Sequence, residues 1–259
     1  MASLPFILGH RGASAHAPEN TLAAFARAIS DGADGIEFDV RLSRDEVPVV
    51  IHDATLLRTG SIDQKVSDLT AAELQQIDVG SWFARAKPGR QSFVNEQLPT
   101  LEQVFDLFQG NNGLLYVEMK CERSEGAALA AAVVRLTRES GMANRVVVES
   151  FDHSAIAAVK QIDKSIRTAA LFEPRLTRPI STVRRLKMID TALSVDADEI
   201  ALHHTLAGDR LIERAKRAGM DVVLWTVDDP SWIERARTLG VKALIANDPA
   251  MMLRRRDQV

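Results

Sequence analysis

The sequence predicts an α/β protein: a distorted TIM (β/α)8 barrel with a small inserted subdomain. Short apolar segments alternate with amphipathic helical segments through most of the 259 residues, as in parallel strands joined by crossover helices. One of these segments is predicted below to be a return strand, and the others supply the eight parallel strands that a closed barrel needs. A chain of this length is usual for one barrel, so residues 1–259 are predicted to form a single domain.

Nine segments are predicted as strands because they are short, apolar and bounded by polar or turn-forming residues. They are Phe6–His10, Ile36–Arg41, Val47–His52, Leu114–Met119, Val146–Ser150, Arg167–Phe172, Glu199–Leu202, Asp221–Thr226 and Ala243–Ala246. Only residues 42–46 separate the second strand from the third, too few for the crossover between parallel neighbours. We therefore predict an antiparallel hairpin here, which brings His52 back to the level of Glu37.

The first helix is predicted from an apolar stripe at i, i+3, i+4 and i+7 between Leu22 and Ile29. The preceding residues 18–21 supply a proline, an acid and capping side chains, and Gly32 suits the C-terminal end. Glu19 and Asn20 are therefore interpreted as helix-opening residues, although a helix N-terminus can also face a phosphate.

The alternation of strands and helices stops between residues 54 and 113, which we predict to be an inserted subdomain above the barrel. Within it, Thr70 and Glu73 match a capping box, and Thr100 is a capping residue for another helix. The stretch between these two helices resembles a loop. The insertion is expected to shape the entrance of any site at that end of the barrel.

Composition excludes several classes of protein. The formal net charge of −3 and the pI of about 6.1 give no basic field for nucleic acid. Cys121 is the only cysteine, which excludes an intramolecular disulfide and fits a reducing compartment. Residues 1–7 do not resemble a secretory signal, and no apolar run approaches the roughly 20 residues of a membrane span. We predict a soluble cytoplasmic protein without stable membrane insertion; the sequence gives no indication of oligomeric state.

Charged and imidazole side chains cluster at the ends of the predicted strands. The groups are His10-Arg11-Gly12, Glu37-Phe38-Asp39, His52-Asp53 and Glu118-Met119-Lys120. Residues two apart on a strand point to the same face, so each of the two strand pairs presents both charged side chains together. In a barrel that face can line the C-terminal mouth, where barrel enzymes have their active sites.

The three carboxylates of this set predict a metal site. Glu37, Asp39 and Glu118 would repel one another at neutral pH unless a cation lay among them, and oxygen ligands suit Mg²⁺ or Ca²⁺. We therefore assign them as ligands of one divalent metal. Arg11 offers a planar fork for phosphate, and Lys120 offers a point charge for a second oxygen.

His10 and His52 have side chains that can move protons near pH 7. Two imidazoles, a metal and two cations together predict phosphoester hydrolysis. Each group also has a structural interpretation: a strand end, an exposed hairpin edge, or a salt-bridged pair in the case of Glu118 and Lys120. Phe151 and Trp225 fit the wall of a substrate cleft and ordinary packing at the barrel mouth equally well.

The motifs resemble those of the glycerophosphodiester phosphodiesterase family. The resemblance is densest in the run HRGASAHAPENTLAAFARAISDGADGIEFDVRLSRDEVPVVIHD. It continues as RTGSIDQKVSDLTAAELQQIDVGSW, LPTL, EMK, Ser150-Phe151 and Trp225-Thr226-Val227. The resemblance thus spans nearly the whole chain.

The resemblance implies a phosphoric diester hydrolase that converts small-molecule glycerophosphodiesters into glycerol 3-phosphate and an alcohol. It implies that His10 and His52 act as general acid and base, without indicating which has which role. It also implies that the metal is bound by Glu37, Asp39 and Glu118. Phosphate is expected to be bound by Arg11, and substrate or phosphate by Lys120. The headgroup, the choice between Mg²⁺ and Ca²⁺, and direct attack by water versus a cyclic phosphate intermediate stay open.

Two departures from the family pattern occur near the C-terminus. Asn247-Asp248-Pro249 stands where a threonine-aspartate pair is expected, and Asp228 stands where asparagine is common. Neither is expected to touch the chemistry. Two alternative functions are a lysophospholipase D-type phosphodiesterase on the same fold and a non-catalytic relative that binds glycerophosphodiesters. The second alternative should have lost a histidine or a metal ligand, and this chain has all of them.

Overall fold

The computed structural model describes residues 3–87, 89, 91–122, 124–174 and 182–259. Within these residues nine strands form a single sheet. They are β1 Phe6–His10, β2 Gly35–Leu42, β3 Pro48–Val50, β4 Leu114–Met119, β5 Val146–Ser150, β6 Arg167–Phe172, β7 Glu199–His203, β8 Asp221–Trp225 and β9 Ala243–Ala246. All nine predicted strands are present.

The sheet closes into a barrel of eight parallel strands. Its order is β1-β9-β8-β7-β6-β5-β4-β2, and β1 also pairs with β2 to complete the ring. The remaining strand, β3, pairs antiparallel with β2, placing Val50 opposite Val40. The predicted barrel and hairpin are therefore confirmed. The return strand ends at Val50, earlier than predicted, although the Ile51 N–H still donates to the Asp39 carbonyl. His52 consequently lies in the loop that follows.

Eleven α-helices lie in the described part of the chain, most of them outside the barrel. They are α1 Leu22–Ser30, α2 Leu57–Gly60, α3 Ala71–Leu74, α4 Ser81–Ala86, α5 Leu101–Leu107, α6 Gly126–Glu139, α7 His153–Ile162, α8 Thr182–Ser194, α9 Asp209–Arg217, α10 Trp232–Leu239 and α11 Pro249–Arg256. The first begins as predicted, with the Thr21 hydroxyl accepting from the Ala24 N–H. Its buried face includes Phe25, which packs on Phe38 of β2 at 5.5 Å between ring centroids.

The predicted insertion contains α2 to α5 and a 3₁₀ turn, Val66–Asp68. Thr70 and Thr100 each close a capping box at the start of α3 and α5. Leu56, Leu74 and four other buried residues form a separate apolar cluster with β3 and its continuation, whereas α5 packs into the core between barrel and helices. The division into a barrel and a subdomain over 54–113 stays a prediction.

Charged side chains close the amino-terminal end of the barrel. The buried Glu199 carboxylate accepts from the Tyr116 hydroxyl at 2.8 Å and from Arg167 at 3.0 Å, and it also pairs with Lys242. Above this network, small and branched side chains fill the interior. A buried carboxylate with three donors is well compensated. These charged residues therefore have a structural role at the closed end of the barrel, and the functional site is expected at the opposite end.

Gly35 makes a close approach that predicts a stability effect. A Cβ at this position would lie 2.1 Å from the Leu114 carbonyl oxygen in the paired strand β4. Gly35→Ala should therefore force β2 and β4 apart and lower the free energy of unfolding by roughly 1–3 kcal/mol, measured by urea denaturation. Gly126→Ala, whose Cβ would meet nothing closer than 3.3 Å, should cost less. Equal stability of both variants and the parent would contradict this expectation.

Candidate active site

A cleft opens at the carboxyl ends of the barrel strands. Its lining residues are His10, Arg11, Glu37, His52, Glu118, Lys120, Glu149, Phe151, Leu171, Glu173, Trp225 and Ile245. Eight of the nine side chains predicted for the site are among them. The ninth, Asp39, does not line the cleft but contacts Arg11 and Lys120, which do.

Three buried glutamates meet at the base of the cleft. Carboxylate oxygens of Glu37, Glu118 and Glu149 all lie within 4.8 Å of one another. Burial, with Asp39 and Glu118 nearby, raises the pKa of Glu37 well above its ordinary value. Burial and Asp39 likewise raise the pKa of Glu118 to about 8. The three carboxyl groups resist joint ionisation, and their oxygen atoms form a donor set that fits a hard divalent cation.

Glu149 was missed by the sequence analysis. Its side chain is 1% exposed, and its Oε2 atom has no hydrogen-bond partner in the described structure. Burial, followed by repulsion from Glu37 and Glu118, raises its pKa well above the usual range. An unpaired buried carboxylate oxygen facing other carboxylates is costly without a cation. Glu149 is therefore a further candidate ligand.

Asp39 has a different environment from these glutamates. Its Oδ2 atom lies 3.1 Å from Arg11 Nε and accepts from Asn20 Nδ2 at 2.8 Å, while Oδ1 lies 3.4 Å from Lys120 Nζ. Although complete burial opposes ionisation, Arg11 and Lys120 hold the pKa of Asp39 well below its ordinary value. Asp39 does not belong to the group within 4.8 Å, and its role as a metal ligand stays a prediction. In this structure it orients both cations.

Arg11 lies in a turn with backbone φ of +54°, a conformation that non-glycine residues adopt at a cost. The turn directs its N–H to Glu37 Oε2 at 3.1 Å and its guanidinium to Asp39 and Glu19. On the other side of the cleft, Lys120 Nζ lies 2.6 Å from Glu118 Oε1. Both predicted phosphate-binding cations thus lie beside the carboxylate group.

The ring of His10 is held from behind by Asn247. Its Nδ1 atom lies 2.7 Å from Asn247 Oδ1, and the Asn247 amide nitrogen donates to Asp228 at 2.6 Å. This orients the amide oxygen toward the imidazole, so Nδ1 donates and Nε2 faces the cleft, 3.9 Å from Glu37. Burial, then Arg11, lowers the pKa of His10 to about 4.

The structure places both departures behind His10, although neither was expected to touch the chemistry. Asn247 contacts His10 directly, and Asp228 orients Asn247 through two hydrogen bonds. The two unusual residues contact each other. Their distance of 19 residues along the chain concealed the pairing.

His52 is held by a carboxylate. Its Nδ1 atom lies 2.7 Å from Asp53 Oδ1, and the other Asp53 oxygen accepts from Arg58 Nε at 2.6 Å. Although burial opposes it, hydrogen bonds from Arg58 and His52 lower the pKa of Asp53 to about 2. Burial lowers the pKa of His52 itself. An ionised carboxylate only accepts hydrogen bonds, so His52 Nδ1 carries a hydrogen and Nε2 is left for proton transfer.

Phe151 and Trp225 form one wall of the cleft. Their rings meet edge to face with centroids 5.5 Å apart, and Lys120 Nζ lies 5.4 Å from the Phe151 centroid. The two residues line the cleft and also pack against the apolar interior of the barrel. Their position therefore fits both a wall of a substrate cleft and ordinary packing at the barrel mouth. Their binding role stays a prediction.

Comparison with known proteins gives the family of this fold and site. The model of the glycerophosphoryl diester phosphodiesterase family matches residues 10–251. The chain belongs to this family. The membership confirms the resemblance, the fold class and the enzyme class predicted from the sequence.

Individual relatives of the family match over nearly their full lengths. A glycerophosphodiester phosphodiesterase of Caldanaerobacter subterraneus subsp. tengcongensis is 32% identical over 247 residues, covering 95% of this chain and 96% of the relative. The crystal structure of a Silicibacter pomeroyi protein has a TM-score of 0.87 with this chain at 26% sequence identity. The match covers 99% of this chain and 94% of the Silicibacter chain. The structure of an Oleispira antarctica phosphodiesterase in complex with the product sn-glycerol-3-phosphate has a TM-score of 0.85 at 26% sequence identity. The match covers 98% of this chain and 97% of the Oleispira chain.

No helix in the described part of the chain is both long enough and apolar enough to cross a bilayer.

Proposed function

We propose that this chain hydrolyses glycerophosphodiesters to sn-glycerol 3-phosphate and an alcohol, in a reaction that depends on a divalent metal. The observation that supports this most strongly is the single cleft lined by two imidazoles, two cations and buried glutamates. The name of the Caldanaerobacter relative and the product bound to the Oleispira structure support the same substrate class.

The proposed metal ligands are Glu37, Asp39 and Glu118, with Glu149 as a further oxygen donor close by. The all-oxygen donor set and the unpaired Glu149 Oε2 support this assignment. When bound, the metal supplies Lewis acidity and a fixed point of attachment for a phosphoryl oxygen. Arg11 and Lys120 bind the other oxygens and neutralise charge that grows during attack.

His10 and His52 are proposed to exchange protons with the reacting groups through Nε2. One removes a proton from the nucleophile, which is water or the glycerol hydroxyl of the substrate, while a new P–O bond forms, and the other protonates the departing alcohol oxygen as its P–O bond breaks. Each ring has its Nδ1 atom occupied, by Asn247 and Asp53 respectively. This arrangement supports Nε2 as the reactive nitrogen in both.

The direct test is restoration of activity to metal-stripped protein. The purified chain is treated with a chelator, supplied separately with Mg²⁺ or Ca²⁺, and assayed for sn-glycerol 3-phosphate release from several glycerophosphodiesters. We expect no release without metal and recovery with at least one ion. Full activity in metal-free buffer would contradict the metal requirement, and no release with any diester and any metal would contradict the proposed activity. A lysophospholipid in the same assay tests the lysophospholipase D alternative.

A further inference from the structure

Arg58 links two parts of the proposed active site without lining the cleft. It lies on the short helix α2 of the insertion, where three of its nitrogens donate to two carboxylates. Nε donates to Asp53 Oδ2 at 2.6 Å, Nη1 to Glu19 Oε2 at 2.9 Å and Nη2 to Glu19 Oε1 at 2.8 Å. Trp82 lies beside the guanidinium, with its ring centroid 5.7 Å from the central carbon. The planar fork is therefore fixed on several sides.

Both carboxylates that bind Arg58 also contact a proposed functional side chain. The second oxygen of Asp53 accepts from His52 Nδ1 at 2.7 Å, and Glu19 Oε1 accepts from Arg11 Nη1 at 2.8 Å. A continuous path of charged hydrogen bonds thus runs from His52 through Asp53, Arg58 and Glu19 to Arg11. The path connects the insertion, the segment that precedes α1 and the loop that follows β3.

We propose that Arg58 is a positioning residue that sets the orientation of His52 relative to the phosphate-binding Arg11. The inference rests on the proposed role of His52. With Arg58 in place, Asp53 has one oxygen fixed and directs the other to His52 Nδ1, so that Nε2 points into the cleft. Without Arg58, Asp53 can rotate toward solvent, and the His52 ring loses its tautomer and its direction.

If the role of Arg58 were purely structural, its removal would lower the stability of the fold. Its side chain is 41% exposed, and exposed ion pairs contribute little to folding stability. We therefore expect Arg58→Ala to fold with a melting temperature close to that of the parent. The value of the arginine lies in the direction it gives to Asp53.

The experiment measures kcat and KM for Arg58→Ala and Asp53→Asn, each alone and combined with His52→Ala. Alone, each variant should lower kcat about tenfold to a hundredfold with little change in KM. In the His52→Ala background each should change kcat by less than about twofold, because residues that act as one unit are not additive. The matched control is Arg85→Ala, another arginine of the insertion, which bonds to Ser61 and to neither carboxylate. It should leave kcat unchanged in both backgrounds.

Two results would overturn the proposal: unchanged kcat in Arg58→Ala, or the same loss in both backgrounds. Arg58→Lys keeps the test valid if Arg58→Ala fails to fold, since it keeps a cation but lacks the planar fork that bonds both carboxylates, and it must show the same pattern. His52→Ala alone separates this inference from the proposed function. If that variant loses turnover and Arg58→Ala does not, only the positioning role fails; if it keeps normal turnover, the role of His52 fails as well.

Discussion

Replacing either active-site imidazole is expected to lower turnover of a glycerophosphodiester by at least about a hundredfold while the fold survives. His10→Ala and His52→Ala each remove a proton-transfer group whose Nδ1 is already bonded to the protein. Both rings lie at the open end of the barrel and are partly exposed, so their loss leaves the interior packing unchanged. Steady-state release of sn-glycerol 3-phosphate measures the effect.

His153→Ala is the matched control for both substitutions. Its ring contacts the Leu171 carbonyl at 3.2 Å and packs on Phe172, but it does not line the cleft. Turnover of this variant should stay within about threefold of the parent. A folded His10→Ala or His52→Ala variant with near-normal turnover would remove that histidine from the proposed mechanism.

The pKa of His10 indicates the resting form of its ring. A value of about 4 leaves the imidazole neutral at pH 7. A neutral ring can accept a proton at Nε2 without first losing one, which supports proton acceptance as one step of its cycle. This does not assign the roles of the two histidines, because burial also lowers the pKa of His52.

The parts of the fold that were predicted correctly depend on local sequence. The hairpin between β2 and β3 follows from a connection too short for a crossover, and the caps at Thr70 and Thr100 need only a residue three positions away. The strand ends then place His10 and Glu118 at one end of the barrel, since all parallel strands have their carboxyl ends there. These inferences need no knowledge of distant contacts.

The parts of the site that were missed depend on contacts between distant residues or on a signal that was overlooked. Glu149 is an acid inside the apolar strand VVVES, and it lies next to Glu118 in the parallel register. A charged residue in a buried strand is unusual enough to have indicated a functional position. Asn247 gave no such signal, because its partner His10 lies far away along the chain, and for Arg58 the second carboxylate, Glu19, lies 39 residues away.

Neutralising the glutamates at the base of the cleft is expected to weaken metal binding. Glu37→Gln and Glu118→Gln should each lower the affinity for the activating ion, Mg²⁺ or Ca²⁺, by at least about tenfold. Both residues belong to the set predicted from the sequence and to the group within 4.8 Å. Isothermal titration of chelator-stripped protein measures this directly and does not depend on catalysis.

Glu149→Gln tests whether the glutamate missed in the sequence takes part in the same site. Its carboxylate has an oxygen within 4.8 Å of those of Glu37 and Glu118, so loss of its charge should also weaken binding about tenfold. The control is Glu173→Gln, an exposed carboxylate that lines the cleft outside this group and should leave the affinity unchanged. Unaltered affinity in Glu149→Gln would mean that Glu149 is an uncharged buried acid beneath the site. Equal losses in Glu149→Gln and Glu173→Gln would indicate a general effect of cleft charge and no specific ligand at Glu149.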